Sequence, residues 1–248
     1  MKPPIRKSSP AKSAKYDIAF LHTSPTHVAT FTQLLAAVAP ALRVLHIVRE
    51  DFLIDALQPC IGTINAGLRA RVRQCIREAA YAGAGVVVCT CSTISELVET
   101  IQLKVRKEPV VIMRIDRAMA DAAVKIGAPI LIVAALESAL QPTATLLTSS
   151  AATAGVSVRA SRLFVPSAWH LFLAGNHAAY LECIVNAVVA ADAKSHTVVL
   201  AQASMAGAAK MLEKYNINAL SSPELGVKNA VALLYRKQSR NANNKETS

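Results

Sequence analysis

The sequence has no long hydrophobic run and few aromatic side chains, and these two absences exclude whole classes of protein. No apolar run approaches the ~18 residues that a membrane helix needs, and the run from Ala128 to Leu136 has the length of a strand. Aromatic residues make up 4% of the 248 residues, which leaves few side chains that can stack on nucleic-acid bases. We therefore expect neither a membrane protein nor a specific nucleic-acid-binding protein.

The sequence also lacks the motifs of common metal, phosphate and nucleophilic-serine sites. It contains no CxxC pair, no histidine cluster with metal-ligand spacing and no GxSxG, GxxxxGK[ST] or GxGxxG loop. Because no apolar export segment precedes the cysteines, we expect reduced thiols and a cytoplasmic location. The cysteines are Cys60, Cys75, Cys89, Cys91 and Cys183. We expect no metal and no cofactor.

Acidic residues are scarce, but the resulting positive charge is concentrated at the two ends of the chain. The sequence has 16 acidic and 27 basic residues, a formal net charge of +11. Residues 1–15 contain five basic and no acidic residues, and residues 236–248 contain four basic residues and one acidic residue. The segment between them is close to neutral. We predict that residues 1–15 and 237–248 are flexible basic tails that bind no specific nucleic acid.

Strand-like and helix-like segments alternate along the rest of the chain. Residues 85–90 form a Val-rich run typical of a strand that is buried on both faces, and a helix is predicted from residue 93 or 94 to about residue 107. The segment Val88–Thr93 is echoed by Val199–Ser204, at an offset of roughly 110 residues. The pattern predicts an α/β fold with two similar halves, whose parallel sheets face one cleft.

Polar residues follow three of the predicted strands, where parallel sheets bind ligands. They lie in residues 22–26, 90–93 and 202–204. Cys91 directly follows a buried strand and precedes a helix, whose first amides stabilise a thiolate or a bound carboxylate. We therefore predict that Cys91 is a selectively reactive thiol with a lowered pKa. Position alone leaves two interpretations of Cys91 open, a reactive thiol or a small packed residue. It also leaves two for His22, a catalytic base or a packed histidine.

Four segments carry a family resemblance: Val86–Thr93, Arg114–Ala120, Ala134–Thr143 and Ser221–Leu225. Together they resemble the aspartate/glutamate/hydantoin racemase superfamily, in its hydantoin-racemase-like branch. The run Val-Val-Val-Cys-Thr-Cys-Ser-Thr ending at Thr93 resembles the first cysteine motif. Arg114–Ala120 resembles the start of the second half of that superfamily, and Ala134–Thr143 resembles the loop and helix that follow it. Ser221–Leu225 resembles the closing helix. The likeness spans residues 16 to about 236, with the motifs in the same order.

The resemblance implies two Rossmann-like halves related by pseudo-twofold symmetry, with an active site in the cleft between them. It divides the body into a first half of residues 16–105 plus 207–236 and a second half of residues 106–206. It also implies a cofactor-independent enzyme, forming a homo-oligomer, that acts on the α-carbon of a small carboxylate or amino-acid derivative. In such racemases two cysteines transfer protons on opposite faces of that carbon, while hydroxyls and amides stabilise the enolate-like charge.

The sequence departs from this pattern at one position. The second cysteine of the superfamily would follow the strand near residues 197–200, where this chain has Gln202. An amide does not exchange protons as an acid or base at neutral pH, so we expect little racemisation by two thiols. Three interpretations follow: a one-thiol racemase-like enzyme, an arylmalonate-decarboxylase-like lyase, or an inactive protein that binds small acids. The predicted catalytic residue is Cys91, and the predicted substrate-binding residues are Thr23, Ser24, Ser92, Thr93, Gln202, Ala203 and Ser204.

Overall fold

The computed structural model describes residues 16–58, 66–105 and 108–246, with side chains as far as residue 243. The first part of the chain contains β1 (Ile18–His22), α1 (His27–Val38), β2 (Val44–Val48), α2 (Glu50–Leu57), α3 (Ala66–Tyr81), β3 (Val86–Cys89), a 3-10 turn (Ser92–Ile94), α4 (Ser95–Glu99), the short hairpin β4 (Lys104–Val105) and β5 (Glu108–Pro109), and β6 (Val111–Arg114).

The second part repeats this alternation and ends in a long helix. It contains α5 (Arg117–Ile126), β7 (Ile130–Ala134), α6 (Leu140–Ala154), β8 (Ala160–Phe164), α7 (Pro166–Leu173), α8 (His177–Ala190), β9 (Thr197–Leu200), α9 (Ala206–Leu212), β10 (Asn218–Ser221) and α10 (Ser222–Glu246). Four 3-10 turns lie between them, at Glu137–Ala139, Ala193–Ser195, Ala203–Met205 and Glu213–Tyr215. No helix in the described part of the chain combines the length and apolar character needed to cross a membrane.

Two four-stranded parallel sheets have the same strand order. The first sheet has the order β2-β1-β3-β6 and the second has the order β8-β7-β9-β10. The inner strands are buried along their whole length, because helices cover both faces of each sheet. The predicted α/β fold with two similar parallel-sheet halves is therefore confirmed.

The helix α10 returns to the first sheet after the chain has completed the second. Its residues Val227, Ala230, Val231 and Leu234 are buried in the same apolar cluster as β1 and β3. Gly85 lies beneath this helix, because a Cβ added there would come within 2.9 Å of the Leu234 side chain. The C-terminal helix thus belongs to the first half, together with the first sheet and the helices α1–α4.

The predicted boundaries between the halves are displaced by one strand at each crossing. The strand β6 begins after the predicted boundary at residue 105 and pairs with β3 in the first sheet. The segment 207–221, predicted to belong to the first half, forms α9 and β10, and β10 pairs with β9 in the second sheet. An edge strand belongs to the sheet with which it forms hydrogen bonds, and short sequence motifs do not show which of the two sheets that is.

The predicted C-terminal tail is also wrong in part, because α10 continues to Glu246. The Lys237 ammonium group donates a hydrogen bond of 3.4 Å to the carbonyl of Gly85, and burial lowers the pKa of Lys237. This long side chain therefore packs on the first sheet and not in solvent. The predicted N-terminal tail, residues 1–15, lies outside the described residues.

Candidate functional site

One cleft contains every residue that the sequence predicts for the site. It lies at the carboxyl ends of β1, β3, β7 and β9, where loops of both halves meet. The cleft has a cavity volume of about 40 Å³. The predicted residues that line it are Thr23, Ser24, Cys91, Ser92, Thr93, Gln202, Ala203 and Ser204.

The Cys91 side chain lies at the start of the 3-10 turn that leads into α4. Burial raises the pKa of the Cys91 thiol, and hydrogen bonds from the Thr23 hydroxyl, the Thr93 and Ile94 backbone N–H groups and the Thr93 hydroxyl act in the opposite direction. The predicted lowering of this pKa is wrong, because removal from water outweighs the donors at the helix start. At neutral pH Cys91 is therefore a thiol, surrounded by groups that stabilise its thiolate.

The other described cysteines have different surroundings. Cys89 is buried inside β3, and its burial raises the pKa to about 12. Burial also raises the pKa of Cys75, to about 11. Cys183 lies on α8, with its sulfur 3.3 Å from the Ser167 hydroxyl. Cys60 lies outside the described residues. Among the cysteines that the structure describes, Cys91 alone lines the cleft.

Gln202 occupies the place in the second half that Cys91 has in the first, since each lies two residues after its strand and just before a 3-10 turn. Its side-chain oxygen accepts hydrogen bonds from the backbone N–H groups of Ala135 (2.7 Å) and Leu136 (3.0 Å). These residues follow β7, as Thr23 follows β1. Because the oxygen is held by two donors, the amide NH2 group is the end of Gln202 that remains for a ligand.

Ser204 is tied to an aromatic cluster in the second half. Its hydroxyl lies 2.8 Å from the Tyr180 hydroxyl, and burial raises the pKa of Tyr180 to about 12. The Trp169 and Phe172 rings stack with their centroids 5.0 Å apart and line the cleft. This cluster gives one wall of the cleft an aromatic surface.

His27, Trp169 and Phe172 are cleft residues that the sequence analysis did not select. His27 begins α1, and burial lowers its pKa to about 4, so its imidazole is neutral at pH 7. It also lines a second cavity of about 260 Å³ beside the cleft, together with Phe172 and Ser204. The position of His27 at a helix start, five residues after a strand, is the one signal that was available.

The lining residues determine what the cleft can bind. None of the described residues that line it is Asp, Glu, Lys or Arg. Besides the Cys91 thiol and the neutral His27 imidazole, its polar groups include hydroxyls, an amide and the backbone N–H groups of two helix starts, which are suited to a carboxylate or a developing enolate. No group of three or more His, Cys, Asp or Glu side chains within the described ranges is arranged to hold a metal ion.

Comparisons with known proteins find similarity in the fold and not in the sequence. No family model and no curated protein matches the sequence. The structure is similar to the aspartate racemase of Picrophilus torridus (TM-score 0.67, 12% identity, 88% of this chain and 94% of that chain). It is also similar to the allantoin racemase of Klebsiella pneumoniae (TM-score 0.57, 16% identity, 89% of this chain and 88% of that chain).

A third similar structure is a mutant of arylmalonate decarboxylase, with a TM-score of 0.51, 14% identity, and coverage of 88% of this chain and 93% of that chain. Each of the three alignments spans both halves, and the strand order of the two sheets repeats within the chain. The resemblance noted in the sequence therefore extends to the whole architecture: the chain has the two-half α/β fold of these racemase and decarboxylase structures.

Proposed function

We propose that the chain is a cofactor-independent enzyme of the racemase-superfamily type that transfers a proton at the α-carbon of a small carboxylate through Cys91. The observation that carries this proposal is the cleft itself, which is lined by a thiol, by six hydroxyl-bearing residues and by the Gln202 amide. The proposed ligands are Thr23, Ser24, Ser92, Thr93, Gln202, Ala203 and Ser204.

The chemistry follows from the protonation state of Cys91. A thiol with a raised pKa is a proton donor at neutral pH. It acts as a base only after its own proton has passed to water, as the thiolate that the neighbouring hydroxyls and backbone N–H groups stabilise, and it becomes a thiol again when it removes the α-proton. Removal of the α-proton leaves an enediolate, whose charge the backbone N–H groups and hydroxyls stabilise. The thiol then returns the proton to the same carbon, from the same face.

Gln202 supports a one-sided reaction. Its oxygen is committed to the loop after β7, and its NH2 group donates hydrogen bonds but does not carry a proton between atoms. We therefore expect exchange of the α-proton with retained configuration. Because none of the described residues that line the cleft is Asp, Glu, Lys or Arg, and His27 is neutral at pH 7, we expect substrates with an apolar or aromatic substituent in preference to aspartate or glutamate.

The test is to incubate the protein in deuterated water with amino acids, hydantoins and substituted malonates, followed by mass spectrometry and chiral analysis. We expect deuterium at the α-carbon with retained configuration. The Cys91→Ser variant should lose this exchange by roughly 10²-fold or more, because a positioned acid or base contributes that much. The matched control is Cys183→Ser, which removes a partly buried thiol outside the cleft.

Other outcomes would assign the alternatives. Loss of carbon dioxide from a malonate, dependent on Cys91, would indicate a decarboxylase-like lyase. Saturable binding of a carboxylate with no turnover, in the wild type and in Cys91→Ser alike, would indicate a protein that binds small acids without catalysis. Efficient racemisation would show that a second group in the cleft transfers protons.

A further inference from the structure

A chain of four hydrogen-bonded side chains leads from the cleft to the protein surface. The Thr90 hydroxyl lies 2.9 Å from Nδ1 of His22, and Nε2 of His22 lies 2.9 Å from Nδ1 of His46. Nε2 of His46 lies 2.9 Å from the Thr32 hydroxyl. Thr90 lines the cleft, His22 is fully buried, and Thr32 is exposed on α1.

Burial of the two imidazoles costs free energy, because their ring nitrogens need hydrogen-bond partners once they are removed from water. They lie on adjacent parallel strands β1 and β2, next to the rings of Phe20 and Phe31, where apolar side chains would pack without a hydrogen-bonding requirement. Both are neutral at pH 7, because burial lowers the pKa of His46 and, with the neighbouring His27 and His46, lowers that of His22 to about 3. A neutral imidazole has one donor and one acceptor nitrogen.

Each end of the chain has a second acceptor, and this allows two complete arrangements of the protons. The Thr90 hydroxyl is also 3.1 Å from the carbonyl of Leu21, and the Thr32 hydroxyl is also 2.8 Å from the carbonyl of Val28. In one arrangement Thr32 donates to Val28, both histidines carry the proton on Nε2, and Thr90 donates to His22. In the other, Thr90 donates to Leu21, both histidines carry it on Nδ1, and Thr32 donates to His46.

We infer that Thr90, His22, His46 and Thr32 form a proton relay between the cleft and the solvent. A proton that enters from the cleft at the Thr90 oxygen displaces the Thr90 proton to Nδ1 of His22. The Nε2 proton of His22 then passes to His46, the Nε2 proton of His46 passes to Thr32, and Thr32 releases its own proton to water. One proton enters and one leaves, and the chain changes from the first arrangement to the second.

As a participant in catalysis, the relay rests on the proposed function of Cys91. Thr90 precedes Cys91, and Thr23, whose hydroxyl counteracts the rise in the pKa of Cys91, follows His22 in the chain. When a substrate covers the thiol, the relay still connects the cleft to the solvent, because it reaches the surface at Thr32 on α1. Deuterium from the solvent then reaches the closed site through His22 and His46.

The relay makes a prediction that does not depend on activity. With ¹⁵N-labelled histidine, NMR at pH 7 should show that His22 and His46 are both neutral and share one tautomer, or one common mixture of the two. Opposite tautomers would place two acceptors or two donors between the rings, and a doubly protonated ring would block transfer. Either result would overturn the relay.

The kinetic test uses a variant that closes the surface end of the relay. Thr32→Val places a methyl group against Nε2 of His46, and the control Thr148→Val removes the same kind of exposed helical hydroxyl, which bonds only to the carbonyl of Ala144. We expect α-proton exchange ~10-fold or more slower in Thr32→Val than in the control. Added imidazole should restore part of the rate in Thr32→Val and in a second variant, His46→Gln, and leave the wild type unchanged.

The two proposals fail in different ways. Equal exchange rates in Thr32→Val, His46→Gln and Thr148→Val, with activity that still requires Cys91, would overturn the relay and leave the proposed function intact. Absence of Cys91-dependent exchange in the wild type would overturn the proposed function, and the relay would then be decided by the tautomers of His22 and His46.

Discussion

Gln202 is the residue that most clearly separates this cleft from a two-thiol racemase site. Its side-chain oxygen holds the loop after β7 by accepting hydrogen bonds from two backbone N–H groups. Its NH2 group is the part of the side chain that can donate to a ligand. A thiol at this position would leave both N–H groups to be satisfied by water or ligand. A cleft with two thiols would offer an acid–base group on each side, whereas this cleft contains the Cys91 thiol and the amide donor of Gln202.

This dual role predicts an unequal effect of Gln202→Glu. A carboxylate retains the acceptor for Ala135 and Leu136 but loses the NH2 donor and places a negative charge where the substrate carboxylate binds. We expect KM to rise by roughly tenfold or more, with little loss of stability, because one charge-assisted contact is worth ~1.5–3 kcal/mol. Steady-state kinetics and thermal unfolding check this. An unchanged KM would show that the carboxylate binds elsewhere.

At the residue scale, the sequence predicts which residues line the cleft better than it predicts their pKa values. Polar residues that directly follow strands are visible in the pattern, and the structure brings Thr23, Cys91 and Gln202 into one cleft. The pKa direction of Cys91 depends on how much packed protein excludes water, which a helix-start argument does not contain. Trp169 and Phe172 lie on α7, and only tertiary packing brings them to the cleft.

At the scale of elements, a buried ion pair joins strand β6 to the start of α5. The guanidinium of Arg114 donates to both carboxylate oxygens of Asp116, at 2.6 and 3.0 Å, and both side chains are 1% exposed. Arg114 also contacts Glu99 at the end of α4 and the carbonyl of Pro142 in α6. One side chain thus connects elements of both halves behind the cleft.

Removal of one partner of this pair should be strongly destabilising. Asp116→Ala leaves the Arg114 charge buried with one weaker acidic contact, and we expect a loss of about 3–5 kcal/mol in the free energy of unfolding. Chemical denaturation measures it. The control is Asp17→Ala, which breaks the exposed pair with Arg43 and should cost far less. Similar losses in the two variants would contradict a structural role for the buried pair.

The alternation of strands and helices could be predicted because the strands are β-branched runs buried on both faces. The helix predicted from residue 93 or 94 to about residue 107 is different, because α4 ends at Glu99. The chain beyond it packs Ile101 and Leu103 on the apolar cluster beneath the first sheet and then forms the β4–β5 hairpin. Tertiary contacts override a moderate helical pattern there.

At the scale of the whole molecule, the buried histidines predict sensitivity to acid. The pKa values of His22 and His27 in the folded protein are about 3 and about 4, below the usual value of 6.5, so the unfolded chain binds more protons as the pH falls through 6.5. Stability is therefore greatest above pH 6.5 and is lost toward pH 4. Near pH 5 each of the two contributes a slope approaching ~1.4 kcal/mol per pH unit, and the contribution of His27 falls to about half of that near pH 4.

Denaturation curves at several pH values check this prediction. His27→Gln should reduce the slope, because its neutral side chain has no proton to gain on unfolding, whereas His170→Gln changes an exposed histidine on α7 and serves as the control. A slope that is the same in His27→Gln and in His170→Gln would contradict the assignment of the acid sensitivity to the buried imidazole.

The way the chain passes between its two sheets has a mechanical consequence. It crosses once after β6 and once after β10, and the crossings lie side by side, since a Cβ on Gly226 would come within 2.2 Å of the carbonyl oxygen of Ile115. Because both connections lie at matching edge strands, the chain joins the two halves along one edge, and no strand pairing among the described residues links one of the four-stranded sheets to the other. A rotation about that edge would therefore leave every hydrogen bond within the two sheets in place.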